Sequence, residues 1–238
     1  MNTKHIIVRI KFFLIIVLYL LTLKMNAQIL DVPYKNDLTI CGYWCWAKSC
    51  QMLIVYYGNN TSLCDVLEFA RLDNPSRFGN DNCCCYPDSC CNTNWISAND
   101  DILLNWSIDN SLIYRTLTLA EIQENLQNNR PFLLHLFKER NDTIFGGHTV
   151  VGYGLSGNDC FIHDPGNGSV IRDYDDLTAQ PTPTERAWLY TNKVNTSATS
   201  CLLVQNISGI LNSTISTYKA INAINANCKI SNSSNIEF

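Results

Sequence analysis

Twelve cysteines lie in this chain, all beyond residue 40, and that distribution limits what it can fold into. Ten are disulfide candidates: Cys41, Cys50, Cys64, Cys83, Cys84, Cys85, Cys90 and Cys91 in one cluster, with Cys201 and Cys228 near the C-terminus. Disulfide frameworks of this density belong to oxidising compartments. The N-terminus agrees. Lys4, Arg9 and Lys11 precede an apolar run from Phe12 to Leu23 broken only by Thr22, and Met25-Asn26-Ala27 follows. This is the pattern of a secretory signal peptide over residues 1–27, cut after Ala27. Its apolar core is shorter than the ~20 residues a spanning helix needs, so no stable membrane insertion is expected after cleavage. The expected location is secreted, periplasmic or extracellular. Adjacent cysteines fit one tetrahedral zinc site poorly, so no metal is expected. Cys64, with Cys41 or Cys50, is expected to bond into the 83–91 cluster, and Cys160 to stay free.

Cys45 stands apart from that framework. It opens Cys45-Trp46-Ala47, the head of a segment without Gly or Pro as far as Tyr57. Trp46, Cys50, Leu53, Ile54 and Tyr57 recur at helical spacing, which predicts an amphipathic helix with Cys45 at its N-terminus. Free N–H groups and the positive end of the helix dipole stabilise a thiolate there. Gly146-Gly147-His148 opens a strand-like run, Thr149 to Gly154, and the glycines leave one imidazole edge accessible. Sixteen residues later, a second strand-like run ends at Asp164-Pro165-Gly166. A nucleophile on a helix end, a base on a strand and an orienting acid on the next strand form the layout of a Cys–His–Asp set. His135 and His163 read as structural. Asp173, Asp175 and Asp176 read as a solvated turn.

Trp44-Cys45-Trp46-Ala47, Met52-Leu53, Tyr56-Tyr57-Gly58, a Cys-rich loop, Gly147-His148 and Asp164-Pro165 together resemble the papain-like cysteine peptidases. The nearest likeness is to compact bacterial members, the secreted effector proteases of plant pathogens and the bacteriocin-leader peptidases. The resemblance covers about Val32 to Tyr190. It implies Cys45 as nucleophile, His148 as general base and acid, Asp164 as orienter, a polypeptide substrate and no cofactor. It also implies a two-lobed α+β fold, with a helical N-terminal lobe carrying the Cys and an antiparallel β C-terminal lobe carrying His and Asp. One feature departs from the family. A Gln usually stands about six residues before the nucleophile as an oxyanion donor, and Thr39 occupies that place here. Asn36 can serve instead if the insertion at Gly42-Tyr43 shifts the register. Otherwise the enzyme is slow, or the domain is an inactive, exported, disulfide-stapled binding module.

Helices are expected over 62–72, 96–106 and from the capping box Thr118-x-x-Glu121 onward. Strands are expected at 112–117, 131–138, 148–154, 159–163, 168–172 and 186–190. Residues 71–94 read as a loop that cross-links must hold, with Leu72, Phe78 and Tyr86 as its apolar anchors. Residues 28–190 are read as the peptidase domain, and the seventeen residues from Gln28 to Cys45 leave no place for a long inhibitory segment. Nearly half of residues 191–238 are Asn, Ser or Thr. Their end resembles the start of the short β-stacking repeats near the C-termini of secreted Bacteroidetes proteins, or is a disordered polar extension. Residues 1–27 carry four of the 17 Lys and Arg and no acid, leaving 13 bases against 21 acids, a net charge of −8. That charge argues against a nucleic-acid partner. A monomer is expected.

Overall fold

The computed structural model describes residues 27–35, 41–85, 90–91 and 98–196. The signal segment, Asn36, Thr39, Tyr86, Cys201, Cys228 and most of the tail lie outside the described residues. Among the described residues no helix is long and apolar enough to cross a membrane.

Helix α1 runs from Cys45 to Tyr56 and begins where expected. It differs from the expected amphipathic helix, because every residue from Cys45 to Ile54 is buried, including Lys48, Ser49 and Gln51. A helix buried all round has neighbours on every side. Here they are α2 (Leu63–Asp73), α4 (Asn99–Asn105) and the sheet. Ser62 caps α2 by a capping box with Asp65, and Thr118 caps α5 (Leu119–Gln127) likewise with Glu121. A short α3 (Pro75–Phe78) lies inside the segment read as loop, with Pro75 in its first turn. Phe78 is buried there, but Leu72 is 67 % exposed, so it is no anchor.

The strands are β1 (Gln28–Ile29), β2 (Asn110–Ile113), β3 (Phe132–Arg140), β4 (Thr143–Ser156), β5 (Asp159–Asp164), β6 (Gly168–Asp173) and β7 (Ala187–Val194). They form one antiparallel sheet in the order β2-β7-β3-β4-β5-β6, with β1 on β4 beyond the end of β3. The fold is mixed α and β, as expected. The β3–β4 turn places Asn141 and Asp142 at φ 50° and 58°, the left-handed pair that a two-residue hairpin requires. Two bulges interrupt β4. Against β3, an extra residue sits between Phe145 and His148, where Gly146 has φ 62°. Against β5, Gly152 faces Ile162 and Gly154 faces Phe161, so Tyr153 is extra. Asp173, Asp175 and Asp176 are a helix start rather than a plain turn: the Asp173 carboxylate accepts the N–H groups of Asp175 and Asp176 and caps α6 (Tyr174–Thr178).

Gly152 is where the sheet core is tightest. A Cβ there would lie 2.5 Å from Phe132 Cζ and 2.9 Å from Leu134 Cδ1. The Phe132 ring is already stacked on Trp188, so it has little room to retreat. Gly152→Ala is expected to cost about 1–3 kcal/mol of stability by overpacking. Denaturant unfolding checks this, and an unchanged midpoint would show that Phe132 and Leu134 repack freely.

Three disulfides tie the helical part together: Cys41–Cys91, Cys64–Cys84 and Cys83–Cys90. Cys160 is free, as expected. Cys50 and Cys85 are also free, which corrects their place among the disulfide candidates. Cys50 lies in the buried middle of α1, and burial pushes its thiol well above the ordinary range. Cys85 is turned outward. Asn82 Oδ1 accepts the N–H groups of both Cys84 and Cys85, and this turn sends Cys84 to Cys64 and Cys83 to Cys90.

Candidate active site

Cys45 is the first residue of α1, and Trp44 before it offers no side-chain cap. The first-turn N–H groups of the helix are therefore not taken by a capping side chain. Trp44 is fixed instead by its indole, which donates to Cys90 O at 3.3 Å. The Cys41–Cys91 bridge, whose first cysteine stands four residues before Cys45, fixes the chain that leads into it.

The sheet brings the other two residues to the same point. His148 lies in β4 and Asp164 ends β5. His148 Nε2 donates to Asp164 Oδ1 at 2.9 Å. That leaves Nδ1 as the ring nitrogen not engaged by Asp164, and the Cys45 side chain lies close enough to the ring to help raise its pKa. Asp164 is held in turn by the Gly166 N–H on Oδ1 and by Asn167 Nδ2 on Oδ2, both at 2.8 Å. The Asp-Pro-Gly-Asn turn thus orients the carboxylate that orients the imidazole. Cys45 is also met by the Thr149 N–H, 3.4 Å from Sγ, while Ser49 Oγ donates to Thr149 O.

Electrostatics follow from these contacts. Burial alone pushes His148 down, but the hydrogen bonds and charges of Asp164 and Cys45 outweigh it and raise its pKa to about 9. Burial raises Asp164, yet His148, Asn167 and Gly166 together bring it down to about 2. An imidazolium between a sulfur and a carboxylate can hold a negative sulfur and later supply a proton.

A histidine raised from 6.5 to about 9 contributes stability that is whole below about 6.5 and lost as pH rises through about 9. An aspartate lowered from 3.8 to about 2 contributes stability that is whole above about 3.8 and lost as pH falls through about 2. Turnover that needs the imidazolium should therefore decline on a limb near pH 9. Wild-type stability should fall between pH 7 and 10, and that of His148→Ala should fall less. Parallel pH profiles of denaturant midpoint for the two proteins would contradict this.

The other histidines are engaged elsewhere. His163 Nε2 donates to Val32 O at 2.8 Å, and its Nδ1 accepts from Ser169 Oγ at 2.9 Å. His135 bonds Thr149 and Asn192. Gln51, the amide nearest Cys45 on the helix side, donates to Thr61 O at 3.1 Å and is committed there. Sequence reading missed Thr149, because its contact with Cys45 is made by a backbone N–H that no motif encodes.

A profile of the Peptidase_C39 like family matches residues 29–196. The chain belongs to that family. It is a papain-like cysteine peptidase, a hydrolase. Two solved structures are similar to this peptidase. One is a double glycine motif protease from an AMS/PCAT transporter in complex with its leader peptide, at 15% identity, 69% of this chain, 94% of that chain and TM-score 0.41. The other is a candidate C39-like peptidase from Bacillus anthracis, at 15% identity, 72% of this chain, 99% of that chain and TM-score 0.43. No curated protein matches the peptidase.

Proposed function

We propose that this peptidase is an exported endopeptidase that cleaves polypeptides by acyl transfer, with Cys45 as nucleophile, His148 as general base and acid, and Asp164 as orienting acid. The observation that carries this reading is the imidazole of His148, hydrogen-bonded on Nε2 to Asp164 at 2.9 Å and raised in pKa by the neighbouring Cys45 as well as by Asp164. Cys45 Sγ attacks the peptide carbonyl carbon, a C–S bond forms, and the carbonyl electrons move to oxygen. The Cys45 N–H at the head of α1, with a polar side chain from Asn36 or Thr39, stabilises that oxyanion. As the tetrahedral species collapses, the C–N bond breaks and His148 Nδ1–H protonates the leaving amine. Water then gives a proton back to Nδ1 and attacks the thioester, and the acid product leaves Cys45 as thiolate. This cycle needs no cofactor.

Export is supported by the N-terminal pattern and by three disulfides, which persist in oxidising compartments. A thiol-reactive epoxide peptidase inhibitor tests the chemistry. One adduct on Cys45, formed in parallel with loss of peptide cleavage, is the expected result. Cleavage that survives complete labelling of Cys45 would sink the assignment.

A further inference from the structure

Behind the strand that carries His148 lies a line of polar side chains that acyl transfer does not itself use. Thr149, His135 and Asn192 are each 0 % exposed. Asn192 Nδ2 donates to Asp100 Oδ1 and to Asn110 Oδ1, so Asn192 Oδ1 is the atom that faces His135. His135 Nε2 must then donate to it, at 2.5 Å. His135 Nδ1 is left as an acceptor, and Thr149 Oγ1 donates to it at 3.0 Å. Burial keeps His135 neutral, with its pKa brought down to about 4, and the neutral ring is what this arrangement requires. The relay therefore runs Thr149 to His135 to Asn192 to Asp100, each bond with a fixed direction.

Stability alone is a poor reason for such a relay, since well-packed apolar groups of the same volume often serve as well or better. What a directional relay adds is position. Its near end is Thr149, whose backbone N–H donates to Cys45 Sγ and whose carbonyl accepts from Ser49 Oγ. Side chain, N–H and C=O of this one residue are thus all tied. We propose that Thr149, His135, Asn192 and Asp100 are positioning residues for Cys45, holding the Thr149 N–H against the sulfur. That N–H supports the negative sulfur, and hydrogen bonds to charged acceptors are about twice as strong as neutral ones. Misplacement by about 1 Å at a reacting group can cost ~100-fold in rate.

The inference rests on Cys45 being the reactive thiol, and the test separates the two. Cys45 alkylation by iodoacetamide is followed at pH 7 on the folded chain, by mass of the Cys45 peptide. Thr149→Val removes the hydroxyl, keeps the shape and leaves the N–H, so it should fold, without the buried cavity that His135→Ala would open. It is expected to alkylate about tenfold more slowly, as a partial loss of position. Its kcat should fall in proportion, with KM within about twofold, because ground-state binding is untouched. Thr149→Ser restores the donor and should recover most of the rate. Adding His135→Gln to Thr149→Val should cost little more, because the relay is already cut. A folded Thr149→Val that alkylates at the wild-type rate, or a serine variant that falls as far as valine, overturns the relay and leaves the peptidase reading standing. A wild-type Cys45 that reacts no faster than a free peptide thiol overturns the nucleophile assignment and the relay's role with it.

Discussion

Cys45→Ala should lose peptide hydrolysis by about 10⁴-fold or more, with the fold intact. The size follows from the unit these residues form, since removing a nucleophile removes the acyl-enzyme route altogether. The fold should survive because the change is small. Cys45 is only 3 % exposed, and deleting its sulfur leaves the Thr149 N–H without an acceptor, a loss of about 1–3 kcal/mol. Among the described residues the other free thiols are Cys50, Cys85 and Cys160. Cys50 and Cys160 are buried, and burial pushes both thiols up, Cys160 to about 12. Cys85 is exposed but belongs to the Cys-rich turn next to Cys84, which is bridged to Cys64. Turnover by the alanine variant above about one per cent of wild type would rule Cys45 out as the nucleophile.

The second large effect concerns Cys41–Cys91, which closes 50 residues of sequence. Chain entropy alone gives such a loop about 4 kcal/mol of stabilisation through the unfolded state. The bridge also stands next to the chemistry. Cys41 precedes Cys45 by four residues, and Cys90, beside Cys91, supplies the carbonyl that holds the Trp44 indole. Replacing Cys41 and Cys91 by Ser is therefore expected to lower the denaturant midpoint and to cut activity under conditions where the sheet is still folded. Amide hydrogen exchange read peptide by peptide reports the helical end and the sheet separately, and peptide cleavage reports the site. Coincident loss of all three signals would argue that the bridge stabilises globally without local control. A double variant with wild-type midpoint and activity would remove the bridge from the account.

Much of the fold was legible where a residue's role is local. Thr118 with Glu121 announces one helix start through its own side chains, and Ser62, one of two caps the sequence offers beside Thr61, opens another. The spacing of His148 and Asp164 places them on neighbouring strands, where the structure brings them together with Cys45. Legibility ends where a role depends on what arrives from elsewhere. The burial of Lys48 and Gln51 in α1 follows from packing on all sides, which helical periodicity does not encode. Leu72 is apolar yet exposed because α2 turns it away from the core. Nothing local distinguishes Cys85 from Cys84, and a turn made by Asn82 decides between them. β1 is two residues long, too short for any period, and exists because β4 outruns β3. His135 looks structural in sequence because its partners, Thr149 and Asn192, are 14 and 57 residues away.

The extra residue at Tyr153 has a meaning for insertions and deletions. Beyond the bulge, Val151 faces His163, so the next pair sets Val150 opposite Asp164 and puts Asp164 on the same side of the sheet as His148. Without the extra residue Asp164 would stand opposite Val151, and its carboxylate would point away from the imidazole. The β4–β5 hairpin is thus a vernier: its count of residues, from the Gly157-Asn158 turn onward, decides whether His148 and Asp164 meet. Eight residues of strand lie between His148 and Gly157, nine steps and about 30 Å at extended rise. A length change at that distant turn acts on the active site by parity, without touching one of its atoms.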